Sequence, residues 1–169
     1  QCFIGNRFVS AASGRTFTCT NPATGKPLTQ VSAGDKEDVD RAVKAASAAY
    51  EKGMWSRIAG AERKKVLLRF ADLMEKHATE LALLETLDTG KPMRQARADA
   101  SALARYFEFY GGAADKLHGH TIPYQDGYTV LTIREPHGVT GHIVPWNYPM
   151  QIFGRSVGAS LAAGNACVV

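Results

Sequence analysis

Gly141-His142-Ile143-Val144-Pro145-Trp146-Asn147-Tyr148-Pro149 joins an apolar strand, a Pro-Trp-Asn turn and a helix start. The run from Val139 to Val144 predicts a buried strand. Pro149 suits the first turn of a helix, where a missing N–H leaves no bond unmade. A strand that passes directly into a helix N-terminus makes an anion or cofactor site at the turn, because unpaired N–H groups and the helix dipole converge there. Asn147 stands at that turn with an amide that donates a hydrogen bond and never ionises. A simple N-cap is the competing reading of the same residue. Beyond it, Met150, Phe153, Val157 and Leu161 recur at helical spacing and predict a core-facing stripe. Gly154 and Gly158 flank that stripe and are expected to let the helix approach a sheet closely. Tyr148, Ile152 and Arg155 fall on the opposite side, with Gln151 beside them. They read equally as the wall of a tunnel or as a surface arginine whose stem covers an aromatic ring.

Upstream, Phe3 to Val9 predicts a hairpin on a Gly5-Asn6 turn, and Thr16 to Thr20 a strand closed by Asn21-Pro22-Ala23-Thr24-Gly25. Asp35 caps a predicted helix whose apolar face is Val39, Ala42, Val43, Ala46, Ala49 and Tyr50, ending at Gly53. A second helix is expected from Ala61 to His77, with Val66, Leu67, Phe70, Leu73 and Met74 inward. Thr79 is expected to cap a third, Leu81 to Asp88, stopped by Thr89-Gly90-Lys91-Pro92. A fourth runs from Met93 to Tyr110 and buries Ala96, Ala100, Leu103, Phe107 and Tyr110. None of these helices carries a catalytic constellation by itself. The period then changes. Thr121 to Tyr124 and Tyr128 to Glu135 alternate around Asp126-Gly127 as an arm that is apolar on both faces, which calls for a cover such as a partner subunit.

Composition sets outer bounds. The 169 residues, 45% hydrophobic and 21% charged, match a soluble globular protein. The net charge of +4 is mild, and Lys and Arg interleave with Asp and Glu, so a solvated surface is expected and nucleic acid is not. No run approaches membrane length and no leader is visible, which makes the cytoplasm the expected compartment. Cys2, Cys19 and Cys167 lack metal spacing, and His137 and His142 lack a third ligand. The first residue is Gln1 and the last lies in the apolar run Ala166 to Val169, so both ends read as cut and the αβ unit as incomplete.

The ordered blocks Asn21-Pro22-Ala23-Thr24-Gly25, Leu84-Glu85-Thr86-Leu87-Asp88-Thr89-Gly90-Lys91-Pro92, Ala114-Asp115-Lys116, Ile143 to Pro149 and Leu161-Ala162-Ala163-Gly164-Asn165-Ala166 closely resemble the aldehyde dehydrogenase superfamily. The resemblance covers essentially the whole chain and implies an N-terminal part of that α/β fold. It would comprise a helical part of the cofactor-binding domain over 1–120, a β-hairpin oligomerisation arm over 121–136, and the start of a Rossmann-like core over 137–169. It implies oxidation of a small aldehyde to an acid with NAD or NADP through a cysteine thioester, in a homodimer or homotetramer. Asn147 would hold the developing oxyanion, and Ile143, Val144, Pro145, Trp146 and Asn147 would line the cofactor cleft. Tyr148, Ile152 and Arg155 would line the substrate tunnel, favouring acidic or aromatic aldehydes. Asp88 would help hold a monovalent cation with early backbone carbonyls. The nucleophilic cysteine and general-base glutamate are expected beyond Val169, so the chain alone is expected to be inactive. The competing expectation is a non-catalytic chain that dimerises or binds an intact subunit through the arm. A dinucleotide-binding module without redox chemistry is disfavoured, since no Gly-rich phosphate loop is present.

Overall fold

The helical part forms where caps and breakers direct it. A computed structural model describes residues 1–169. Helix α1 (Lys36–Lys52) opens at Asp35, whose carboxylate accepts from the Glu37 N–H at 3.2 Å, while Asp38 reaches back to the Asp35 N–H at 3.2 Å. Asp38 is buried and also accepts from the Ala12 N–H at 3.0 Å, which ties the preceding loop to the helix. Helices α2 (Gly60–Lys76) and α3 (Ala78–Thr89) meet at His77. The third helix therefore starts before the expected Leu81, and Thr79 lies in its first turn and does not cap it. Gly90 closes α3 at φ +76°, where a β-carbon would also come within 2.8 Å of Pro22 Cγ.

Helix α4 (Met93–Ala113) runs past the expected end at Tyr110 and packs against α2, α3 and α5 (Pro149–Ala162). The core lies here: Leu67, Ala71 and Met74 of α2, Leu103, Ala104 and Phe107 of α4, and Val157 and Ala162 of α5. The glycine pair of α5 serves α4, which corrects the expected helix-to-sheet approach. A β-carbon at Gly154 would sit 3.1 Å from Leu103 Cδ1, and one at Gly158 3.1 Å from Tyr110 Cδ2. Several residues expected inward stay exposed, namely Val39, Val43, Val66, Phe70 and Leu73. Val39 belongs to an open apolar groove with Ala42, Ala46, Phe153 and Val168, because α1 covers the neighbouring strands only in part.

The strands pair two by two. Strands β1 (Cys2–Ile4) and β2 (Arg7–Val9) turn on Gly5 and Asn6, whose φ angles of 59° and 64° fit the expected tight hairpin. Strand β3 (Thr16–Thr20) pairs with β4 (Pro27–Ser32), a strand not anticipated because its exposed polar residues show no alternation. The arm is shorter than expected. Only Thr121–Ile122 (β5) and Val130–Leu131 (β6) pair regularly, and Tyr124, Tyr128 and Ile133 lie exposed, the two tyrosine rings meeting edge-to-face at 5.9 Å. Strands β7 (Val139–Gly141) and β8 (Ala166–Val168) are parallel, with α5 as the crossover, which makes a βαβ unit. β7 ends at Gly141, short of Val144, since β8 offers no further partner, although the His142 N–H still donates to the Val168 carbonyl at 2.8 Å. Buried Asn165 locks the unit. Its Oδ1 accepts from the Gly138 N–H at 3.0 Å and its amide donates to the Ser160 carbonyl at 3.1 Å. β8 is half-buried and Val169 exposed, so this run is less enclosed than its apolar sequence suggests.

Candidate functional site

The turn between β7 and α5 presents the residues that its sequence singled out. Pro149 is in the first turn of α5, and Tyr148 occupies the cap position with no side-chain cap bond. Asn147 lies one residue further out and is exposed, so the simple N-cap reading does not hold for it. An exposed, neutral donor at a helix start suits a group that develops negative charge. Beside it, Ile143 is 99% and Trp146 82% exposed, whereas Val144 and Pro145 are half-buried. Ile143 and Trp146 thus leave a large apolar surface uncovered next to the strand–helix turn.

On α5, Ile152 is half-buried and Arg155 exposed. The Tyr148 ring has the Lys91 ammonium 4.3 Å from its centre, and its hydroxyl accepts from Gln95 Nε2 at 2.9 Å. Gln151, expected beside these residues, turns instead toward α4 and donates to Asp99 Oδ1 at 2.6 Å. Asp99 and Glu85 are buried and share the Lys91 ammonium between them. Burial raises the Glu85 carboxyl above its ordinary range. Burial acts the same way on Asp99, but its bonds to Lys91 and Gln151 outweigh it and hold Asp99 low. Lys91 is raised, because its two carboxylate partners outweigh its own burial. Sequence reasoning missed this cluster. The available signal was Asp99 within the apolar stripe of Ala96, Ala100 and Leu103, a position where an acid requires a partner.

Asp88 faces β3, away from this group, and its carboxylate accepts from the Cys19 thiol at 3.0 Å. That bond pushes the thiol above its ordinary value, away from a reactive thiolate. Cys167 lies in β8 with Thr140 Oγ1 at 3.6 Å, and Cys2 lies in β1. All three thiols are free, and none adjoins Asn147 in the chain. His142 Nε2 is engaged with Thr140 Oγ1 at 3.0 Å.

A family profile described as "Aldehyde dehydrogenase family" matches residues 8–169. Over the whole chain, the sequence is 50% identical to aldehyde dehydrogenase family 2 member B4, mitochondrial, from Arabidopsis thaliana, of which it covers 32%. A crystal structure from Burkholderia cenocepacia, assigned as an aldehyde dehydrogenase, superposes with a TM-score of 0.96 at 60% identity, over 99% of this chain and 35% of that one. PnpE in complex with nicotinamide adenine dinucleotide superposes at 0.94 with 41% identity, over 98% of this chain and 34% of that one. The chain thus spans about a third of the length of the curated relatives it matches. No helix is long and apolar enough to cross a membrane. The fold is that of the corresponding part of these structures, and the chain belongs to the aldehyde dehydrogenase family.

Proposed function

We propose that the full-length protein oxidises an aldehyde to a carboxylic acid with NAD or NADP. This chain supplies the oxyanion donor, the cofactor ledge and one wall of the substrate tunnel. The observation that carries the reading is Asn147, an exposed amide at a strand–helix turn where another residue takes the cap position. The Asn147 amide donates to the aldehyde oxygen as negative charge builds there, and it stays neutral at every working pH. Ile143, Val144, Pro145 and Trp146 bind the dinucleotide, which when bound supplies the oxidant. We assign 1–120 to a helical part of the cofactor-binding domain, 121–136 to the oligomerisation arm and 137–169 to the start of the Rossmann-like core. The exposed arm residues Tyr124, Tyr128 and Ile133 fit a homodimer or homotetramer contact. The free thiols fit a reducing compartment, and the cytoplasm is the one we assign. The exposed Asp88 carboxylate beside Cys19 of β3 fits a monovalent cation shared with backbone carbonyls. Purified full-length protein is expected to reduce NAD+ or NADP+ in the presence of an aldehyde panel, followed by nicotinamide absorbance. Absence of reduction with every aldehyde would overturn the reading.

The 169-residue chain alone is expected to give no turnover in the same assay. Acyl transfer of this kind needs a thiolate beside the oxyanion donor. Cys19 is tied to Asp88, and Cys2 and Cys167 belong to strands β1 and β8. Measurable oxidation by the isolated chain would mean that one of these thiols is the nucleophile.

Arg155 directs the substrate class. It is exposed on the α5 face that carries Ile152, and it enters none of the ion pairs of the chain. A permanent cation there attracts a carboxylate or carbonyl-rich tail and repels a quaternary ammonium. Tyr148 adds an aromatic wall for an aryl aldehyde. Arg155→Leu in the full-length enzyme is expected to lower kcat/KM for a dicarboxylic semialdehyde by about tenfold or more, as for one lost bond to a charged group. Unbranched aliphatic aldehydes are expected to be unaffected. Equal effects on both substrates would remove Arg155 from the tunnel.

A further inference from the structure

The proposed chemistry leaves unused the buried cluster behind the Asn147 turn. Lys91 comes from the loop between α3 and α4. Its ammonium is bound by the Glu85 carboxylate of α3 and by Asp99 Oδ2 of α4, the latter at 2.6 Å. The side chains of Glu85, Asp99 and Lys91 are 2%, 3% and 9% exposed. Asp99 extends the chain of contacts, since its other oxygen binds Gln151 in the first turn of α5. The same ammonium lies over the Tyr148 ring, and Gln95 of α4 holds the Tyr148 hydroxyl.

Buried ion clusters of this kind are weak sources of stability. Apolar residues of similar volume are often as stable or more so. One oxygen, Glu85 Oε2, is buried with no hydrogen-bond partner, which leaves an acceptor of the cluster unpaired. Its geometry has a direction instead. The links that leave it end on residues 148 and 151, one and four positions after Asn147 in the chain. The turn has no local anchor of its own, because α5 starts without a side-chain cap on its free N–H groups.

We propose that Lys91 and Gln151 are positioning residues, and that the chain Glu85–Lys91–Asp99–Gln151 sets the placement at which Asn147 meets the oxyanion. The inference rests on the oxyanion role assigned to Asn147 above. Displacement of a catalytic group by about 1 Å can cost up to roughly a hundredfold in rate. Asp99, the member that reaches α5, is held low by its bonds to Lys91 and Gln151 despite its burial.

The test is a pair of double-mutant cycles in the full-length enzyme. Lys91→Met and Gln151→Met are each measured alone and together with Asn147→Ala. Each single variant is expected to lower kcat about tenfold while leaving the cofactor Kd within about twofold. On the Asn147→Ala background, the same changes are expected to cost less than about twofold, since the group they position is gone. Equal losses on both backgrounds would overturn the proposal and leave the cluster a structural one. Gln151→Met keeps both ion pairs intact, so it carries the test if Lys91→Met does not fold. Absence of aldehyde turnover by the unmutated enzyme would sink the oxyanion reading and this inference together, whereas turnover with additive losses would sink this inference alone.

Discussion

Asn147→Ala in the full-length enzyme is expected to lower kcat about a hundred- to a thousandfold, the usual cost of one oxyanion donor. Cofactor affinity is expected to change far less, because the cofactor contacts proposed above are those of Ile143, Val144, Pro145 and Trp146. Steady-state kinetics with a fluorescence titration of the cofactor separates the two effects. The structure sharpens the experiment. Tyr148, one residue on, occupies the cap position of α5, so removing the Asn147 amide leaves the helix start as it is. Thermal stability should therefore stay close to that of the parent. An intact kcat with a lowered Tm would make Asn147 a structural residue.

Phe107→Ala is expected to cost about 3–5 kcal/mol of stability, the range for large aromatic truncations in a packed core. Phe107 is fully buried, with its ring edge-to-face with Phe70 at 4.8 Å and tilted against Phe153 at 6.1 Å. It joins α2, α4 and α5 at one point, so no single helix shift can refill the space it leaves. Denaturant unfolding of the full-length protein measures the loss. A cost below about 1 kcal/mol would mean that these helices collapse onto the cavity.

Much of this architecture was legible because its causes are local. The Gly5-Asn6 turn, the Asp35 cap, Gly90 after α3 and Pro149 at the start of α5 each act within a few residues. The Asn147 turn was legible for the same reason, since strand, turn and helix are contiguous. What escaped depended on distant partners. β4 is defined by its pairing with β3 and carries no apolar alternation of its own. The arm reads as two long strands from its side chains, but with neither face covered only two residue pairs form a regular ladder. Gly154 and Gly158 were read correctly as sites of close approach, but only the packing reveals that α4 fills them. Lys91, Glu85 and Asp99 come from a loop and two helices. Asp99 alone stands out, on the apolar stripe of its helix, while Lys91 and Glu85 look like ordinary surface charges until the three are brought together in the interior.

The parallel pairing of β7 with β8 has a consequence for the order of events during synthesis. Val139 meets Ala166, and the His142 N–H finds its acceptor only at Val168. A ladder closed across a helical crossover must wait for its second strand, and such non-local contacts form late. α5 can wind as soon as it leaves the ribosome, but the strand end that launches the Asn147 loop is anchored only after residue 168 has emerged. The Asn147 turn is thus among the last parts of this region to mature, and a nascent chain paused before Ala166 would leave it without its strand anchor.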